Sequence, residues 1–348
     1  MDCMAGAKSL PDKSVDCVIT SPPYWQLRDY NFEGQWGLES TYTEYLEHLW
    51  GLMDELYRVL KDEGTVWVNL GDTYSGSGGS GGDYNKNGLR EGQPKVRPPK
   101  TSQSKCLLLI PHRFAIGCID RGWIVRNDII WAKRNGMPES VTDRFSKKHE
   151  YFFFMVKSEK YYFDLDAIKD KVKDVSVARA LRGVSENNKW VNGADGQTPH
   201  NLSQPRPNLT STKIPQEQSE MFGSPRARQH RINAGLTFGK NNGQEAKEWQ
   251  PKDDGKNPGD VSDFWDLPTK PSSKKHYATY NDTLIKKPIL AGCPEGGLIL
   301  DPFAGTCTTG ITALRANRQF IGFEASKEYY EIGNKEIQDY VSQQKLAL

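Results

Sequence analysis

The most constraining feature of the sequence is a run near its end with the pattern strand, small-residue loop, helix and strand. Residues 297–301 predict a buried strand, and residues 302–309 form a loop of mostly small side chains before a predicted helix over 310–316. A further strand is predicted over 320–324. This order is typical of a parallel sheet covered by helices. Ligands of such sheets bind at the carboxyl ends of the strands, which makes 302–309 a candidate ligand loop.

A second run of the same kind opens the chain. Residues 14–20 predict a strand, residues 42–60 carry apolar side chains at helical spacing, and residues 64–70 predict the next strand. Thr41 and Glu44 have the spacing of a capping box. The same patterns predict a helix over 110–121, strands over 123–132 and 151–156, a helix over 283–291 kinked at Pro288, and a last helix from Lys327. The chain is therefore predicted to be an α/β protein.

The composition excludes several classes of protein. The 348 residues can bury a large core, and the six cysteines include no C-x-x-C pair, which argues against a zinc ribbon or a redox dithiol. The six histidines show no metal-ligand spacing, so no metal is expected. The longest aliphatic stretch, residues 107–110, is far too short to cross a bilayer, and no basic-then-apolar leader opens the sequence. We expect an intracellular protein without a membrane partner.

Two stretches differ in character from the predicted sheet. Residues 75–105 begin with a Gly/Ser-rich run and continue with several prolines, which predicts an exposed, flexible loop. Residues 168–262 are rich in Asn, Gln, Ser, Pro and Arg, and 171–250 contain 12 Lys and Arg against 7 Asp and Glu. The net charge of +2 for the whole chain is uninformative, but a locally basic insertion is compatible with phosphate contacts as well as with a solvated loop.

The ligand loop and the strand after it have features that suit an adenosine compound. A helix that begins after small residues favours an anionic group, and Glu324 follows Gly305 by 19 positions, at the end of the next strand, where a carboxylate can accept from ribose hydroxyls. Only Gly305 and Gly310 are present, without the third glycine of a dinucleotide site. A single carboxylate, as in S-adenosylmethionine, fits better than a pyrophosphate. An ordinary β–α turn is the alternative.

A second corner, Thr20-Ser21-Pro22-Pro23-Tyr24, follows the first predicted strand. Two consecutive prolines stiffen the turn, which alone is common. The chemical interpretation is that the Ser21 hydroxyl and the Pro22 carbonyl accept hydrogen bonds from a planar heteroaromatic amine whose ring stacks on Tyr24, as for a base extruded from a nucleic-acid helix.

Together these two corners resemble the amino-group DNA methyltransferases of the β class, in which the catalytic motif precedes the cofactor motif. The motifs are Ser21-Pro22-Pro23-Tyr24 and Asp301-Pro302-Phe303-Ala304-Gly305, and similar stretches occur at 69–72, 126–133, 149–152, 257–261 and 276–280. The resemblance implies a class I methyltransferase fold, a Rossmann-like, twisted, mostly parallel sheet with helices on both faces. It also implies a catalytic half over 1–167, a target-recognition region over 168–262 and a cofactor-binding half over 263–348.

The same resemblance implies roles for individual residues. The catalytic residues are Ser21, Pro22, Pro23 and Tyr24. S-adenosylmethionine is the implied cofactor, held by Asp2, Asp301, Pro302, Phe303, Gly305, Thr306, Thr308, Thr309 and Glu324, with the segment containing His276 and Thr279 closing over it. Double-stranded DNA is the implied partner, with candidate contacts at Lys133, Arg179, Arg182, Arg226 and Arg228. Whether the protein forms a homodimer, and whether it serves restriction protection or regulation, is left open.

Serine at the first catalytic position favours the N4 amine of cytosine over the N6 amine of adenine, which remains the alternative. C5 methylation is disfavoured because it needs a nucleophilic cysteine, usually in a Pro-Cys dipeptide, and the sequence has none. One departure from the family is Cys307, where glycine is common. If its side chain crowds the cofactor, the chain is a non-catalytic DNA-binding relative, and if the position needs a positive φ, cysteine is strained there.

Overall fold

The computed structural model describes residues 1–76, 84–85, 88–89, 92, 94, 103–136, 139–169, 261–269 and 282–346. Nearly all of them belong to one compact unit made of Met1–Ile168 and Asp260–Leu348. The described strands are β1 (Val15–Thr20), β2 (Leu60–Leu70), β3 (Tyr84–Asn85), β4 (Gly88–Leu89), β5 (Ile124–Ala132), β6 (His149–Val156), β7 (Phe264–Asp266), β8 (Leu298–Asp301) and β9 (Gln319–Gly322). The described helices are α1 (Cys3–Ser9), α2 (Tyr42–Val59), α3 (Ile110–Asp120), α4 (Asp282–Gly292), α5 (Thr308–Arg315) and α6 (Lys327–Leu346), with a 3-10 turn at Asp166–Ile168.

Seven of the strands form one sheet in the order β7-β5-β6-β2-β1-β8-β9, and β3 pairs with β4 in a separate hairpin. Strand β1 pairs in parallel with β2 and β8, β8 with β9, and β5 with β7. Strand β6 is antiparallel to both of its neighbours, β2 and β5. All the strands of this sheet except β6 therefore point the same way, and the loops after β1, β2, β5, β8 and β9 meet at one edge of the sheet.

Helices cover both faces of the sheet because alternate strand residues point to opposite sides. Val18 packs in a cluster with the buried residues of α2 and α3, whereas Ile19, its neighbour on β1, packs with Leu284 and Ile289 of α4. Helix α2 begins with the predicted capping box: the Glu44 backbone N–H donates to the Thr41 hydroxyl, and the Glu44 carboxylate accepts from the Thr41 N–H. The predicted fold class is confirmed.

The structure differs from the predictions in several local features. Helix α1 and strand β7 were not anticipated, because seven and three residues are too few to show a clear period. Pro288 lies inside α4, which continues to Gly292. Strand β9 ends at Gly322, so Glu324 stands in the loop after the strand. Among the described helices, none combines the length and the apolar character that a membrane span requires.

Candidate functional site

The two corners singled out in the sequence line one cavity at the carboxyl edge of the sheet. The loop after β1 contributes Ser21 and Pro23, the segment before α1 contributes Asp2, and the loop after β9 contributes Glu324. The loop after β8 contributes the largest share: Asp301, Pro302, Phe303, Ala304, Gly305, Thr306, Thr308 and Thr309. Pro22 and Tyr24 are not among the lining residues of this cavity. Residues more than 250 positions apart are therefore brought together because β1 and β8 are neighbours.

A buried carboxylate joins the two corners directly. Asp301, only 1 % exposed, ends β8. Its Oδ1 accepts from the Thr20 hydroxyl at 2.8 Å, and its Oδ2 accepts from the Thr309 hydroxyl at 2.6 Å. Its Oδ1 also accepts from the Phe303 backbone N–H at 3.1 Å. Asp301 therefore fixes the spacing between the end of β1, the ligand loop and the first turn of α5.

The ligand loop contains a buried hydroxyl that has no hydrogen-bond partner. Thr306 lines the cavity and is 3 % exposed, and its Oγ1 has no partner among the residues that the structure describes. A buried hydroxyl without a partner costs free energy, about 1–3 kcal/mol. Such a group is stabilised when a ligand with a polar end enters the cavity.

Cys307 has the backbone conformation that favours glycine, but its side chain does not line the cavity. Its φ is 60° and its ψ is 34°, at the N-cap of α5. The side chain lies against Gly333 of α6, where an added Cβ would be 2.7 Å from the Cys307 Sγ. Glycine at 333 therefore provides the space that Cys307 needs. The position thus has the positive φ at which cysteine is strained, but Cys307 is not among the residues that line the cavity and could crowd a ligand there.

Glu324 and Asp2 both line the cavity. The Glu324 carboxylate accepts from the Gly305 N–H at 2.8 Å and from the Ser326 N–H at 2.7 Å. Burial raises the pKa of Glu324 above its ordinary value. Asp2 caps α1 by accepting from the Ala5 N–H at 2.9 Å. Both carboxylates have lone pairs left for hydroxyl or amine donors.

An aromatic wall of the cavity was missed by the sequence analysis. Its members come from the segment between β1 and α2, from the loop after β9 and from α6: Tyr30, Phe32, Trp36, Phe323 and Tyr329. Trp36 meets Phe303 edge to face at 5.5 Å between ring centroids, and Tyr30 meets Tyr329 in the same way at 6.1 Å. Three aromatic residues within seven non-periodic positions, 30–36, are a signal that sequence reasoning had available.

The catalytic corner has a hydrogen-bond network of its own. The Tyr24 hydroxyl lies 2.9 Å from Asn69 Oδ1 and 2.8 Å from Glu150 Oε2, and the Ser21 hydroxyl lies 3.4 Å from Asn69 Oδ1. Asn69 is oriented by donating from its Nδ2 to the Tyr151 carbonyl at 3.0 Å. Burial, followed by the charge of Glu150, holds the pKa of Tyr24 well above its ordinary value, so the phenol stays neutral. Asn69 and Glu150 were noted in the sequence only as part of family-like stretches.

Gly71 leaves the space that the Tyr24 ring occupies. An added Cβ at Gly71 would lie 2.5 Å from Tyr24 Cε2. We expect Gly71→Ala to displace the ring and to lower kcat about 100-fold, since misplacements of about 1 Å have effects of that size. Cofactor affinity should stay within about twofold, because the ring does not line the cavity. Steady-state methylation kinetics and calorimetry measure the two quantities.

The matched control for this substitution is Gly51→Ala on α2, where an added Cβ meets nothing within 4 Å. This variant should have unchanged kinetics. A Gly71→Ala enzyme with full turnover would contradict the role given to the Tyr24 ring position.

The predicted DNA contacts are only partly visible. The Lys133 ammonium pairs with the Glu150 carboxylate and lies 4.8 Å from the centroid of the Trp131 ring, so its phosphate contact stays a prediction. The other four candidate DNA contacts lie outside the described part of the chain: Arg179, Arg182, Arg226 and Arg228. The two candidate cofactor contacts His276 and Thr279 lie outside it as well. Within the described part, no group of three or more His, Cys, Asp or Glu side chains is placed to hold a metal ion.

Comparison with known proteins identifies relatives over nearly the whole length of the chain. The profile of the N6/N4 methyltransferase family, described as DNA methylase, matches residues 15–335. The type II methyltransferase M.Cfr9I of Citrobacter freundii is 32% identical over 338 residues, which cover 97% of this chain and 86% of the relative. The type II methyltransferase M.SmaI of Serratia marcescens is 30% identical over 337 residues, covering 97% and 88%.

Two solved structures share the fold. The cytosine-N4-specific PvuII DNA methyltransferase matches with a TM-score of 0.55 at 14% identity, covering 99% of this chain and 90% of that one. A putative DNA modification methylase from Thermus thermophilus, solved with S-adenosyl-L-methionine, matches with a TM-score of 0.51 at 20% identity, covering 98% and 93%.

Proposed function

Because the chain belongs to the N6/N4 DNA methylase family, we propose that it transfers a methyl group from S-adenosylmethionine to the N4 amine of a cytosine extruded from double-stranded DNA. The observation that carries the proposal is the single cavity lined by Ser21 of one corner and by the ligand loop of the other. One corner offers acceptors for an amine, and the other offers a place for an adenosine compound with one anionic end. The Asp301 carboxylate holds the two at a fixed spacing.

The residues of the cavity fit this cofactor. The partnerless Thr306 hydroxyl and the first turn of α5 suit the methionyl carboxylate, and Glu324 suits the ribose hydroxyls. Asp2, which also lines the cavity, can accept from the adenine amine. Phe303 and Trp36 present aromatic surface that favours a cation, and the cofactor supplies a methyl group bound to a positively charged sulfur.

The catalytic corner makes the amine a better nucleophile. The lone pair of the cytosine amine is conjugated with the ring, so the free base is a poor nucleophile. The Ser21 hydroxyl and the Pro22 carbonyl accept from the two amine hydrogens and favour a pyramidal nitrogen whose lone pair faces the methyl group. With S-adenosylmethionine bound, methyl transfer would form the C–N bond as the C–S bond breaks, leaving S-adenosylhomocysteine, and the extra proton of the amine would pass to solvent water. No covalent enzyme intermediate is needed.

Two further parts of the proposal come from the sequence and from the relatives. The basic region 168–262 is assigned to target recognition, with its arginines contacting phosphates and base edges. The relatives M.Cfr9I and M.SmaI are type II methyltransferases, which supports an enzyme that modifies DNA at defined sites. Adenine N6 is the second candidate because its amine meets the same two acceptors.

The product identifies the target base. Unmethylated plasmid DNA is incubated with the protein and S-adenosylmethionine carrying a labelled methyl group, digested to nucleosides and analysed by mass spectrometry. We expect labelled N4-methylcytosine. Labelled N6-methyladenine would replace the cytosine proposal with the adenine one, and the absence of any labelled nucleoside from DNA of varied sequence would contradict both.

A substitution at Glu324 tests cofactor binding separately from turnover. We expect Glu324→Ala to raise the Kd of S-adenosylmethionine about 10- to 100-fold, since a hydrogen bond to a charged acceptor contributes about 1.5–3 kcal/mol and the variant loses at least one. The kcat at saturating cofactor should change much less. Calorimetry gives the Kd, and Glu328→Ala on the exposed side of α6 is the control. A lowered kcat with an unchanged Kd would contradict the role given to Glu324.

A further inference from the structure

The connection between β5 and β6 lies at the same edge of the sheet as the cavity. Strand β5 is antiparallel to β6, which is antiparallel to β2, so β5 ends at the edge where β1 and β2 end. The described parts of this connection are residues 133–136 and 139–148, and the second part leads directly into Glu150, whose carboxylate contacts the Tyr24 hydroxyl. At its middle, the Arg144 guanidinium lies 4.1 Å from the centroid of the Tyr74 ring, shortly after β2 ends. The connection therefore borders the catalytic corner.

Several contacts tie the described parts of this connection to each other and to neighbouring segments. The Arg134 guanidinium forms a forked ion pair with Asp266 of β7, and the Asn135 side chain pairs with Thr269. Further contacts fix the other half: Arg144 to Glu139 at 2.6 Å, Lys105 to Asp143 at 2.6 Å, and Lys148 to the Gly136 carbonyl at 2.8 Å. Residues on both sides of position 145 are thus anchored.

Phe145 lies in the second described part of this connection, with its side chain in solvent. It is 97 % exposed, more than any other large apolar side chain in the described ranges. The connection carries more cations than anions, since residues 133–148 contain five Lys and Arg against two Asp and Glu, and three of the cations, Lys133, Arg134 and Arg144, are paired with carboxylates. A positively charged connection of this kind attracts a phosphate backbone, and an exposed ring within it gains free energy when it stacks on bases.

We propose that Phe145 enters the DNA duplex at the target site and fills the space that the extruded base leaves in the stack. This inference rests on the proposed extrusion of the target base, but it holds for cytosine and adenine alike. Extrusion costs a few kcal/mol of stacking and pairing. An aromatic ring that restores stacking offsets part of that cost, and apolar side chains serve as wedges between base steps in other DNA-binding proteins.

The anchoring explains how one exposed ring can act in this way. A ring on a freely moving loop would lose conformational entropy on insertion, whereas here contacts of Asp143 and Arg144 before the ring, and of Lys148 after it, already restrict the chain. The same connection ends at Glu150, so the inserted ring and the base held near Tyr24 would be linked through five residues of chain. Insertion and capture of the base are then parts of one docking event.

The test compares duplexes that differ only in how firmly the target base is paired. The recognition site is first identified by sequencing plasmid DNA methylated by the wild-type protein. Two oligonucleotide duplexes with that site are then made, one with the target base normally paired and one with it opposite an abasic position. We expect Phe145→Ala to lower kcat/KM about 10- to 100-fold on the paired duplex, the range for loss of one base–aromatic stack, and less than threefold on the abasic duplex.

Two variants complete the design. Phe145→Trp keeps an aromatic ring and should retain activity on both duplexes, and Ile119→Ala removes an exposed apolar side chain from the last turn of α3, at the opposite edge of the sheet, and should match wild type. Equal losses by Phe145→Ala on both duplexes, or no loss on either, would overturn the inference. If the proposed function itself fails, the wild-type protein methylates neither duplex, an outcome distinct from both.

Discussion

Ser21→Ala is expected to lower kcat about 10²- to 10³-fold, the range found when one group that stabilises a transition state is removed. Ser21 lines the cavity, and its hydroxyl makes a long contact of 3.4 Å with Asn69 Oδ1. This long contact leaves the Ser21 oxygen free to accept from the incoming amine. The alanine variant loses one of the two acceptors that favour a pyramidal nitrogen.

The affinity for S-adenosylmethionine should change less than about threefold in Ser21→Ala, since the cofactor contacts are assigned to the other corner. Single-turnover kinetics with excess enzyme measures the chemical step, and calorimetry measures the cofactor Kd. Ser14→Ala is the matched control, because the Ser14 hydroxyl donates to the Pro11 carbonyl before β1, away from the cavity. Equal losses in the chemical step and in cofactor binding would break the division of roles between the corners.

Asp301→Ala is expected to have the second large effect, and on stability as well as activity. The carboxylate accepts from two hydroxyls and one backbone N–H in a buried position. Its loss leaves these donors without their acceptor, at a cost of about 2–4 kcal/mol in the free energy of unfolding. Both corners should then lose their fixed spacing, so that cofactor affinity and kcat fall together.

Denaturant unfolding measures the stability change, and the neighbouring hydroxyls allow a sharper test. Thr20→Val and Thr309→Val each remove one donor to Asp301 and should each reproduce part of the loss. A double-mutant cycle between Asp301→Ala and Thr20→Val should give a combined loss smaller than the sum of the two. Strictly additive losses would mean that the hydrogen bond between Asp301 and Thr20 does not stabilise the junction of the two corners.

Much of the fold could be predicted from the sequence because the apolar residues of the long helices and strands recur at clear helical or strand spacing. The apolar spacing of α2 and its capping box predicted that helix to within one residue of its end. The small-residue loop between β8 and α5 indicated where a ligand would bind, because its position after a parallel strand is general to open α/β sheets. Helix α1 and strand β7 were missed because seven and three residues show no period that distinguishes them from loop.

The missed parts of the site depend on contacts between distant positions. Asn69 and Glu150 meet Tyr24 because β2 pairs with β6 in antiparallel register, with Leu70 opposite Tyr151, and no local pattern specifies that pairing. The fit between Cys307 and Gly333 likewise depends on the packing of α6 against the ligand loop. The aromatic wall belongs to loops, whose conformation is set by the elements on either side of them.

The most direct measurement of the central claim is a crystal structure of the protein with S-adenosylhomocysteine, the unreactive product of the cofactor. The ligand is predicted to lie in the cavity between Phe303 and Glu324, with one of its polar groups on the Thr306 hydroxyl and its sulfur facing Ser21. A ligand bound anywhere else, or one whose sulfur faces away from Ser21, would contradict the claim that the two corners form one active site.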